Sequence, residues 1–116
     1  NPYIMKTILF RNPHLTKEAN RNSCILRLER NNKDLVQLNS KLSSYMLEPR
    51  TYSLFQQIEN LRSRMEYLKN TNQEILSTLK EPRKSFTDML DSIKQQLREF
   101  TELQQGIDEY IHIARS

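Results

Sequence analysis

The sequence holds one glycine, one cysteine, two histidines and no tryptophan, and each shortage removes a class of function. One glycine leaves no glycine-rich loop to cradle a phosphate. His14 and His112 stand at opposite ends and fall in no metal-ligand spacing. Cys24 has no second thiol to pair with, which points to a reducing compartment, cytosol or nucleus. It reads as a small apolar residue on a helix rather than as a redox or metal thiol. No apolar run approaches the roughly 18 residues that a membrane span needs. No signal-peptide pattern follows Asn1, as expected of a segment cut from a longer protein. The acidic residues are scattered along helix faces, so the chain is expected to be no enzyme and to use no cofactor, metal or small-molecule substrate.

What remains is a helical composition. Few β-branched runs and almost no glycine favour helix nearly throughout. With 28% charged and 36% apolar residues, and a mean hydropathy of -0.78, the chain is too polar for a wide core but can bury narrow helical seams. The net charge is +4, and its excess lies in residues 1–49, with eight Lys/Arg against four Asp/Glu. Those bases are spread rather than clustered, as on a solvated helix face.

Prolines punctuate the chain. Asn1-Pro2 and Asn12-Pro13 can each open a helix, since Asn caps and Pro suits the first helical position. The spacing predicts a short helix or docking peptide over 1–12, with Ile4, Met5, Ile8 and Leu9 on one face, ending before Pro13. Three long segments follow, at 13–48, 50–80 and 83–114, broken at Pro49 and Pro82. Thr51 or Ser53 can cap the second, and Ser85 or Thr87 the third.

Each segment carries a heptad seam. In the first, Leu28, Leu35 and Leu42 recur every seven residues, with Ile25, Asn32, Asn39 and Met46 on the alternate positions. Leu54, Ile58, Leu61, Met65, Leu68, Ile75 and Leu79 form the second, in steps of four and three, with Asn72 in its polar slot. The third runs through Phe86, Leu90, Ile93, Leu97, Phe100, Ile107, Ile111 and Ala114, with Gln104 as its polar slot and Met89, Leu103 and Tyr110 on a second edge. These apolar residues are expected to form the interface with partner helices, in the same chain or another. Asn32, Asn39, Asn72 and Gln104 are expected to set register and partner choice, because a buried amide pairs best with another amide. On that view Asn72→Leu should raise stability and loosen specificity. Gly106 interrupts the third seam, as a close helix approach or a tolerated weakness. The expected fold is all-α, either coiled-coil segments or a helical bundle. Short linkers permit antiparallel reversal or a kinked rod.

A zipper-type nucleic-acid binder would need a dense run of bases just before the leucines, to neutralise phosphates. Residues 15–24 hold only Lys17 and Arg21, against Glu18, so that alternative ranks last.

One stretch resembles a known family. Ile93-Lys94-Gln95-Gln96-Leu97, continuing to Gly106-Ile107-Asp108-Glu109-Tyr110-Ile111-His112-Ile113, is similar without gaps to the C-terminal end of the nucleoporin-54 family, FG subunits of the nuclear pore's central channel. That resemblance implies three coiled-coil segments pairing with two sister channel nucleoporins and a pore scaffold protein. It also implies a place at the nuclear envelope and a role in anchoring FG repeats for nucleocytoplasmic transport. The sister nucleoporin-58 type shares the three-segment plan. The region around Pro82 is short for the family, no match precedes Glu48, and no FG repeats occur here. The alternative is a self-associating helical scaffold of a kinetochore, spindle-pole or tethering complex, its seams satisfied within or between copies of this chain.

Overall fold

The computed structural model describes residues 13–44, 48–81 and 86–116, with side chains in the first helix from Asn20 onward. The expected 1–12 helix, the position of Met46, the break at Pro82 and a cap at Ser85 lie outside the described residues. Among the described residues the fold is all-α, as the heptads predict. It consists of α1 (Pro13–Leu42), α2 (Tyr52–Leu79) and α3 (Phe86–Ala114).

Pro13 occupies the first helical position of α1, where its missing N–H costs nothing. The helix ends at Leu42, well before the expected stop at Glu48. Ser43 and Ser44 explain the difference. The Ser43 backbone N–H is shared between the Asn39 and Ser40 carbonyls, the Ser43 hydroxyl donates to Asn39 O at 3.0 Å, and Ser44 N bonds Lys41 O, tightening the last turn. Pro49 lies in the irregular stretch 48–50 that follows.

Thr51, rather than Ser53, caps α2. Its backbone is extended and its Oγ1 accepts from Leu54 N–H at 3.1 Å, satisfying an otherwise unbonded donor. Ser53 instead accepts from Gln57 Nε2 one turn on. At the far end of α2, Lys80 N–H reaches back to Leu76 O. α3 carries Asp88 in its first turn, where a carboxylate suits the helix dipole.

The three helices run up, down and up. Leu28 at the middle of α1 shares an apolar cluster with Ile75, Leu76 and Leu79 near the end of α2, and with Ile93 near the start of α3. Leu42 and Ile58 share a second cluster with Tyr110, Ile111 and Ala114 at the end of α3. The chain therefore folds back at both breaks, and every helix packs on the other two. Gly106 marks a close approach: a Cβ there would stand 3.3 Å from Leu61 Cδ2 of α2.

Candidate functional site: a buried amide layer

Between the two apolar clusters lies a layer of side-chain amides, one from each helix. Asn72 of α2 is at its centre and is 0% exposed. Its Nδ2 donates to Asn32 Oδ1 of α1 at 2.9 Å, and its Oδ1 accepts from Gln96 Nε2 of α3 at 2.9 Å. Gln96, 6% exposed, also donates to Leu68 O at 3.4 Å, and Asn32 Nδ2 donates to Lys69 O at the same distance. The donors thus point one way, from Gln96 through Asn72 and Asn32 to the α2 backbone. Such a layer holds no acid, base or nucleophile. What it does is penalise misalignment, because an unpaired buried amide costs about 1–3 kcal/mol.

The seam residues surround this layer. Leu28, Leu35, Leu42, Ile58, Leu61, Met65, Leu68, Ile75, Leu79, Ile93, Phe100, Ile107 and Ile111 are buried, and Leu54, Phe86, Leu90 and Leu97 are half-buried. Apart from Leu90, which joins neither cluster, their covering comes from the other helices of the same chain. The four polar positions singled out in the sequence divide. Asn32 and Asn72 meet, Asn39 is exposed, and Gln104 is half-buried outside the layer. Leu38, next to Asn39, packs on the core instead.

Gln96 is the member that the heptad reading misses. In α3 two stripes keep a perfect four-three alternation. One is the expected stripe through Leu97 and Gln104; the other runs through Met89, Ile93, Gln96, Phe100, Leu103, Ile107, Tyr110 and Ala114. The second faces the core more squarely. A helix lodged between two neighbours buries a band wider than a two-stranded seam, and its centre here lies one residue away from the expected line. The second stripe also has only one polar slot, which is the signal that could have found Gln96.

Outside the layer little chemistry gathers. Among the described residues no three His, Cys, Asp or Glu side chains come together as a metal site. No described helix is long and apolar enough to cross a membrane. Half-burial pushes the Cys24 thiol above its ordinary pKa, against the opposing charge of Arg27. Burial likewise raises the Tyr110 phenol, opposed by Arg62. The ion pairs Arg62–Glu59 at 3.3 Å and Lys80–Glu29 at 3.9 Å are exposed and contribute little. Leu26, Val36, Tyr52, Phe55, Tyr67 and Ile113 leave apolar surface outside, spread over all three helices. No protein-family model matches the sequence, and no curated protein and no solved structure matches it either.

Proposed function

We propose that this chain is a non-catalytic assembly module: a self-contained three-helix bundle that serves a larger protein or complex as a structural unit of fixed register. The observation that carries this reading is the layer Asn32–Asn72–Gln96, in which each helix supplies one amide and finds its partners in the same chain. Seams awaiting a heteromeric partner would leave their leucines bare and their amides unmatched. Here both needs are met internally, so partners act on the outside of the bundle, and register is set by Asn32, Asn72 and Gln96 together. Light scattering with circular dichroism tests this on the isolated chain. A highly helical species of 13.9 kDa is expected. Aggregation, or low helicity restored only by adding other coiled-coil chains, would overturn it.

A second reading is favoured by one observation, the spacing from Ile93 to Ile113, with Gly106 inside it and Ile111-His112-Ile113 closing it. On that reading the chain is a coiled-coil segment of a channel nucleoporin at the nuclear pore, pairing with two sister subunits and a scaffold protein to anchor FG repeats for transport. It requires the seams now closed within the chain to be exchanged for intermolecular ones. Affinity purification separates the two, since recovery with other channel nucleoporins supports the second and their absence counts against it.

A further inference from the structure

The amide layer also divides the core. On one side Leu28, Ile75, Leu76, Leu79 and Ile93 form a small apolar cluster. On the other, the buried residues of a larger cluster extend from Leu35, Leu68 and Phe100 to Leu42, Ile58 and Tyr110. The layer lies between them, since Asn32 follows Leu28 and precedes Leu35, Asn72 separates Leu68 from Ile75, and Gln96 separates Ile93 from Phe100.

We propose that the bundle has a two-part core and opens at the Asn32–Asn72–Gln96 layer, the smaller part separating while the larger stays folded. Three features favour a break at this plane. No continuous apolar surface has to be torn, because the two clusters are already apart. The groups bared at the plane are amides, and amides trade protein hydrogen bonds for water at small net cost. Finally, residues 43–51 tie α1 to α2 at the larger part, so this tether lies on the side that stays folded. In the open state the helix portions on the smaller side, α1 before Asn32, α2 after Asn72 and α3 before Gln96, come apart and unwind together, baring Leu28, Ile75, Leu79 and Ile93 and leaving the larger part intact. That gives the module a sub-globally open form reached without global unfolding, of the kind that local opening equilibria populate.

Native-state hydrogen exchange on the full 116-residue chain tests this. Backbone amides over 23–31, 73–79 and 90–95 should share one protection factor, at least about tenfold below that of amides over 34–41, 57–68 and 99–111. The step should fall at the layer in all three helices. A single protection level across both parts, or one that declines smoothly toward each helix end, overturns the proposal. In N32L/N72L/Q96L, with the layer made apolar and the clusters joined, the difference should shrink toward nothing; a difference that persists overturns it. Should that variant not fold, exchange of the parent chain in rising guanidinium decides. Weak denaturant dependence in the smaller part, merging with the larger part at higher concentration, supports two-part opening. Equal, steep dependence everywhere overturns it.

Discussion

Asn72 shows how far the sign of a substitution depends on what a side chain touches. Read as a lone amide in an apolar seam, it should be improved by leucine. In the fold it is the middle of three amides, and leucine would remove the donor to Asn32 and the acceptor for Gln96 together. Gln96 would keep only its long bond to Leu68 O in a site closed to water. Asn72→Leu alone should therefore cost about 1–3 kcal/mol in urea denaturation. N32L/N72L/Q96L, which removes every member together, should recover that loss or exceed the parent, because replacing all partners by apolar groups strands none of them. A stabilising single substitution would mean that the three amides act independently. Tyr110 makes a second residue-level prediction. Its phenol is buried and its pKa raised, so the folded state favours the neutral form while the unfolded chain ionises at the ordinary tyrosine value of about 10. Tyr110's contribution is then complete below that value and is lost as pH climbs through the raised one. Tyr110→Phe should flatten the alkaline fall in stability, measured as denaturation midpoint against pH.

At the scale of the element, the three long helices and their approximate limits were legible, because each rests on local chemistry: Pro13 opening α1, Thr51 capping α2, and heptads sustained through all three. Two things were not. The early stop of α1 at Leu42 depends on Ser43 and Ser44 competing for the last carbonyls, a weak signal beside the strong stop at Pro49. The facing of α1 and α3 depends on their neighbours. A seam drawn for one partner helix fits α2 and its Asn72, but places Asn39 and Gln104 where a three-helix bundle puts Leu38 and Leu103, and Leu97 where it puts Gln96. Gly106 belongs to the same scale. Alanine there gains about 0.8–1.0 kcal/mol of helix propensity. Its Cβ, however, would stand 3.3 Å from Leu61 Cδ2, tighter than ordinary contact, against a side chain already buried. The two effects oppose each other, and Gly106→Ala should change stability by less than about 1 kcal/mol. Gly106→Leu, which cannot fit beneath Leu61, should cost about 1–3 kcal/mol through overpacking. A clear gain from alanine in thermal denaturation would show that α2 and α3 separate there freely.

For the whole molecule, the open question in the sequence was whether three helices joined by short breaks reverse or continue in line. Linker length allows both. What selects reversal is the placement of the polar slots: Asn72 and Gln96 stand at similar distances on either side of the second break, so a hairpin brings them level and an in-line rod leaves each buried amide alone. The consequence is a short, thick rod. Its extents are 54 × 31 × 19 Å and its radius of gyration is 17.3 Å, larger than the roughly 13 Å of a spherical domain of this length. The same helices end to end would span about 130 Å. Small-angle scattering distinguishes these arrangements directly. The reversed bundle requires a radius of gyration near 17.3 Å, unchanged with protein concentration, as expected where the seams are closed inside one chain. A rod-like profile with a maximum dimension near 130 Å, or a radius that grows with concentration, would mean that the seams face other molecules, and the amide layer would then have to be read between chains rather than within one.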